Sequence, residues 1–166
     1  MTETFKLKPI HRDAIDEALR KAEQYRLLNQ PGQAESICRD ILRVDADNQR
    51  ALTIIILALT DQFGRSHGSP SVKTAREYTA KLSDEYQRLY YGGLICERQA
   101  RARLQRGMAG AFAYGGLREA MELYERAERV RPAGNDDAIL RWNSCVRTIR
   151  RRNLEPQAAE EEPLLE

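Results

Sequence analysis

Along most of this chain apolar residues return every three or four positions, the period of a helix that keeps one face in a core. The stretch Ala51-Leu52-Thr53-Ile54-Ile55-Ile56-Leu57-Ala58-Leu59-Thr60 departs from that pattern, because it is apolar on every side when wound as a helix. Such a helix needs other elements around it. Crossing a bilayer takes roughly 20 apolar residues, so this shorter one is predicted to be enclosed by protein. It should run from about Gln49 to Phe63, with Gly64 closing it.

The same period marks out the neighbours. Ile15, Leu19, Ala22, Tyr25 and Leu28 predict a first helix, opened by Pro9 or Asp13 and broken by Asn29-Gln30-Pro31-Gly32. Ala34, Ile37, Cys38, Ile41 and Leu42 share one face of a second, which stops at Asp45-Ala46-Asp47-Asn48. After the central helix, Gly64 to Ser71 reads as a loop, with His67 as a solvated loop histidine. A short helix follows from Val72 to Leu82. A long one then runs from Asp84 to Gln105, with Asp84 and Gln87 at capping-box spacing. Gly92-Gly93 in its middle calls for a closely approaching neighbour, since glycine inside a helix costs about 1 kcal/mol against alanine. Gly107 to Gly116 is apolar but glycine-rich and is expected to be an irregular or partly helical linker. Helices at Leu117 to Val130 and Asp136 to Arg152 complete the set, about seven in all, with no alternating pattern that would predict a strand.

At 166 residues the chain suits one domain, expected over 9–152 between a flexible N-terminus (1–8) and a flexible acidic tail (153–166). The tail carries Glu160-Glu161-Glu162 and two prolines and has little to bury. Hydrophobic residues make up 42% and charged residues 31%, a globular rather than a disordered balance. The net charge of +2 is too small to imply general attraction to nucleic acid, which is not the expected partner. Met1 to Lys6 runs straight into polar residues, so a cytoplasmic location is expected. Cys38, Cys96 and Cys145 lie far apart on apolar helix faces and read as small core residues. His11 and His67 are the only histidines, so no zinc set or Cys-His pair can be assembled, and neither a metal nor a cofactor is expected. There is no glycine-rich phosphate loop, no G-x-S-x-G and no H-E-x-x-H, and Asp136-Asp137 fit the start of a helix. The chain is not expected to be an enzyme.

Repeats give these helices a relation to one another. Ala120-Met121-Glu122-Leu123-Tyr124, followed by Ala127 and Pro132, resembles the second helix of the tetratricopeptide repeat (TPR), a 34-residue helix-turn-helix with A-x3-F and then P. Ala34 to Cys38 with Ile41 and Leu42 resembles it again, although Ala46 stands at the proline position. First-helix patterns are looser. They comprise Leu52, Ile55, Ile56 and Leu59, then Leu89, Gly92, Gly93 and Cys96, then Ala138, Arg141, Trp142 and Cys145. The chain from Ala14 to Arg150 is thus similar to small bacterial TPR domains, apart from the loop around His67 and an insertion before Gly115. The resemblance implies an all-α, TPR-like α-solenoid of antiparallel hairpins, at about 12–46, 49–83 and 84–132, with a C-terminal capping helix at 135–152.

It also implies a function, which is to hold another protein as a scaffold or adaptor. In TPR proteins the stacked first helices line a concave groove that takes a peptide or a partner's helix. Carried onto this chain, the groove would present Glu23, Arg26, Arg50, Thr53, Thr60, Asp61, Asn143 and Arg147. A second candidate surface comes from charge alone. Arg98, Arg101, Arg103 and Arg106 on the long helix, with Arg150 and Arg151 from the cluster at 147–152, form either a solvated face or a dock for an acidic protein segment or nucleic-acid phosphates. The acidic tail could fold back onto it.

Overall fold

The computed structural model describes residues 4–65 and 72–158. His67 and its loop, and the acidic run at Glu160, lie outside them. The described residues form seven α-helices and no strand: α1 (Ile15–Leu27), α2 (Pro31–Val44), α3 (Gln49–Asp61), α4 (Val72–Ala80), α5 (Glu85–Gln105), α6 (Gly110–Arg129) and α7 (Asp137–Arg152). A 3-10 turn, Arg12–Ala14, precedes α1. No described helix is long and apolar enough to cross a membrane.

The boundaries follow from local chemistry. Asn29 adopts the left-handed conformation (φ 59°) that ends a helix at little cost, and Pro31 opens α2, where its missing N–H is not needed. The Asn48 side chain accepts from the Ala51 N–H at 2.9 Å, and Asp84 accepts from the Gln87 N–H at 3.0 Å, so α3 and α5 start on side-chain caps.

The helix expected from Leu117 begins earlier. Gly107–Gly116, expected to be irregular or partly helical, is helical from Gly110 onward, and α6 runs unbroken to Arg129. The reason is packing against α5. A Cβ on Gly116 would stand 2.9 Å from Ala100 Cβ, and one on Gly93 would stand 2.7 Å from the Tyr124 ring. The two helices touch at positions where only hydrogen fits, which lets Ala113, Leu117 and Ala120 bury almost completely. That tertiary burial outweighs the poor intrinsic helicity of glycine.

Each helix packs on its neighbours in sequence, most extensively α5 on α6, and α3 also touches both α1 and α5. Two apolar cores result. One joins α1 to α4 around Leu52, Ile55, Ile56 and Leu59 and takes in Ile95 of α5. The other joins α5, α6 and α7 around Leu117, Tyr124 and Cys145. Burying each of the large side chains contributes about 1.5–3 kcal/mol, so α5, which enters both cores, ties the halves together. Helix α3 is buried nearly all round, as its sequence predicts, except for a stripe of Arg50, Thr53, Leu57 and Asp61. All three cysteines are buried free thiols.

Candidate functional site

The open stripe of α3 lies among polar residues of α1 and α5. Arg50 forks onto Glu23 of α1, with its Nη2 2.9 Å from Oε2 and its Nε 3.2 Å from Oε1, at the exposed end of the stripe. At the other end Asp61 is shared. Arg26 of α1 brings Nε to 2.7 Å from its Oδ2, a contact that is an ion pair rather than an aligned hydrogen bond. Arg98 of α5 pairs with the other oxygen and also donates to Thr60 Oγ1 at 2.9 Å. Thr60, itself buried, donates its own hydroxyl hydrogen bond to the Leu57 carbonyl at 2.9 Å.

Immediately before Arg98 in the chain, and not anticipated from sequence, is Glu97. Its carboxylate is fully buried. Arg101 donates twice to Oε1, at 3.1 and 2.8 Å, and the Tyr124 hydroxyl donates to Oε2 at 2.7 Å. Arg141 of α7 stands 3.7 Å from Oε2. Arg101 then reaches across to α7, donating to Thr148 Oγ1 at 2.8 Å and Ser144 Oγ at 3.0 Å. A signal for Glu97 was present in the sequence, since it lies four residues after Gly93 and three before Ala100, both on the face expected to be buried. Burial, reinforced by Glu97, pushes the Tyr124 phenol well above its ordinary range, and the same two causes raise the Cys145 thiol from 9.0 to about 12.

Of the expected groove residues, Arg26, Thr60 and Asp61 therefore meet in one cluster with Arg98, and Glu23 and Arg50 form a separate pair. Thr53 turns its hydroxyl to the Arg50 carbonyl of its own helix at 2.9 Å. Asn143 is half-buried on α7 and Arg147 is exposed there, and neither joins the network among the described residues. The arginines of the basic surface divide. Arg98 and Arg101 are held by Asp61 and Glu97, whereas Arg106, Arg150 and Arg151 stand exposed and Arg103 half-exposed.

These three clusters, together a polar network, lie on α1, α3, α5 and α7, and Tyr124 of α6 joins the last of them at Glu97. They contain Arg26, Arg50, Arg98, Arg101 and Arg141 against Glu23, Asp61 and Glu97, five cations to three anions and so a surplus of two positive charges. A cleft of about 220 Å³ opens beside the half-buried Asp61, lined also by Thr60, Arg98, Arg101 and Gln105. Among the described residues no three His, Cys, Asp or Glu side chains come together as a metal would require. The polar groups here can bind through hydrogen bonds and charge. No protein-family model matches the chain, and no curated protein or solved structure matches it either.

Proposed function

We propose that this chain is a protein-binding module, a short array of TPR-like hairpins that holds a peptide or helix of a partner along the face of α1, α3, α5 and α7. The observation that carries the reading is the set of polar clusters that join these helices. Side chains of α1, α3, α5 and α7 form three of them, Glu23 with Arg50, Asp61 with Arg26 and Arg98, and Glu97 with Arg101 and Arg141, each of which spans two or more helices. Support for the array comes from the contacts of α3 with both α1 and α5, which bring alternate helices together beside the sequential pairs. The surplus of positive charge favours a partner segment that carries acidic side chains.

The exposed arginines give the test. Arg50→Glu with Arg147→Glu should abolish capture of the native partner from cell extract, read by mass spectrometry, while circular dichroism stays unchanged. Retention of every partner by the double variant would end the groove reading. A second reading rests on Arg103, Arg106, Arg150 and Arg151, which lie outside the network and could meet an acidic protein segment or nucleic acid as a subunit of a larger complex. On that reading Arg103→Glu with Arg106→Glu is the damaging pair. Any nucleic-acid affinity should also fall steeply with added salt.

A further inference from the structure

Helices α1 and α7 each keep one face open among the described residues. On α1 that face carries Asp16, Glu17, Arg20, Gln24 and Leu27, all exposed, with Leu28 just beyond the helix. On α7 it carries Leu140, Arg147, Arg150 and Arg151, all exposed, with Asn143 half-buried among them. The leucines stand out, since Leu27 is 82% exposed, Leu28 58% and Leu140 63%. An array of helical hairpins stays soluble by closing each end on a polar face, and these two faces are not wholly polar. Their charges are sorted as well. Asp16 and Glu17 lie at the start of α1 with the leucines at its end, whereas α7 has its leucine near the start and its arginines at the end.

The two faces match in one antiparallel register. Leu27 follows Glu17 by ten residues and Asp16 by eleven, and Arg150 and Arg151 follow Leu140 by the same two intervals. At about 1.5 Å per residue, both intervals span about 15–17 Å of helix. With Leu27 laid on Leu140, therefore, Gln24 meets Asn143, Glu17 meets Arg150 and Asp16 meets Arg151. One like pair remains, Arg20 with Arg147, and Glu17, already paired with Arg20, stands between them to offset it. Other pairings set apolar groups on charge. In a parallel arrangement Leu27 would fall among the arginines of α7. Laid antiparallel on its own kind, α1 would put Leu27 against the acids of its mate, and α7 would put Leu140 against the arginines. We propose that this chain associates head to tail with a second copy of itself, α7 of one copy packing antiparallel on α1 of the next. The contact is heterologous, so each pair keeps a free face at both ends and can grow into a row. It uses neither Arg50 nor Asp61, so its failure would leave the groove reading where it stood.

Sedimentation velocity on the full chain, over a range of protein concentrations, tests the proposal. A single helix pair lies at the small end of interface sizes, so the association should be weak, with a mass that climbs with concentration and falls with added salt. Leu27→Glu or Leu140→Glu alone, both at exposed positions, should weaken it at least about tenfold at unchanged circular dichroism. Mixing the two variants is decisive. The Leu140→Glu chain keeps a native α1 face and the Leu27→Glu chain a native α7 face, so each stays single alone while an equal mixture forms pairs and nothing larger. Asp16→Arg with Glu17→Arg should also abolish association, and adding Arg150→Glu with Arg151→Glu to the same chain should restore it. A native chain that stays single at every concentration would overturn the proposal, as would an equal mixture that does not pair. Association that both leucine variants leave unchanged would overturn it in favour of a different surface.

Discussion

Replacing Glu97 by glutamine keeps the side chain's shape and removes its charge. In the native chain this fully buried carboxylate takes two bonds from Arg101, one from the Tyr124 hydroxyl and an ion pair from Arg141. A glutamine has one acceptor oxygen, and its amide must turn donor protons toward other donors. Hydrogen bonds to charged groups contribute about 1.5–3 kcal/mol each, and a buried polar group left unpaired costs about 1–3 kcal/mol. Full loss of a buried ion-pair partner would cost about 3–5 kcal/mol, but Arg101 and Arg141 are 30% and 35% exposed and can turn partly to water, so the lower part of that range applies. The expected cost of Glu97→Gln is about 2–4 kcal/mol, out of a typical stability of about 5–15 kcal/mol. The variant should fold and unfold early.

Urea denaturation followed by helical circular dichroism reads this directly. With a slope of about 1–3 kcal/mol per molar for a small protein, the midpoint should fall by about 1–2 M at unchanged slope. Tyr124→Phe alone should cost about 1.5–3 kcal/mol through loss of its bond to the carboxylate. Because the two side chains share that bond, the double variant should cost less than the sum by about 1 kcal/mol or more. A Glu97→Gln cost below about 1 kcal/mol, or strictly additive effects, would mean that the cluster around Glu97 is not a connected network.

Two further outcomes are expected. Gly116→Ala and Gly93→Ala should each destabilise by about 1–3 kcal/mol through overpacking, since their new Cβ atoms would stand 2.9 Å from Ala100 and 2.7 Å from Tyr124, whereas Gly115→Ala, which meets nothing within 4 Å, should stabilise. Equal effects at 115 and 116 in thermal unfolding would refute the α5–α6 contact. Burial, followed by the charges of Glu23 and Glu35, raises the Cys38 thiol from 9.0 to about 12, and Cys145 and Tyr86 also rise to about 12. For these raised groups the stability is fully present below the unfolded value and is lost as pH climbs through the folded one. The protein should therefore weaken between about pH 9 and about pH 12, less steeply in Cys38→Ala with Cys145→Ala, and a flat urea midpoint over that range would contradict it.

The helices were legible because their determinants are local. Apolar spacing, the caps at Asn48 and Asp84, and the breaks at Asn29 and Gly64 act within a few residues of where they are written. The start of α6 was not, because what makes Gly110 to Gly116 helical is Ala100 and Cys96 on another helix, and propensity alone points the other way. The candidate site was legible residue by residue but not as a network. Arg98 and Arg101 read as surface charge because the partners that tie them to other helices are remote in sequence. Asp61 lies 37 residues before Arg98, and Thr148 lies 47 after Arg101. Glu97 escaped for a related reason. A glutamate in an arginine-rich helix looks solvated until Tyr124 and Arg141 arrive from two other helices to satisfy it.

That internal pairing does not conflict with the proposed binding role, and the geometry explains why. Asp61 and Glu97 each divide one negative charge between two arginines, so neither guanidinium pair is neutralised, and one arginine of each pair, Arg98 and Arg101, lines the cleft. Arginines that stood free in water would have to lose rotamer freedom when a partner arrived, at about 0.5–1.5 kcal/mol for each side chain immobilised. Here Arg98 is fixed by Asp61 and Thr60, and Arg101 by Glu97, Ser144 and Thr148, before anything binds. A partner carboxylate entering the cleft would meet donors already held in place, with Glu97 buried behind them and Asp61 in the lining. The same fixing gives selectivity, since an incoming cation would face the surplus arginines, and a neutral segment would cover them without supplying the charge they lack.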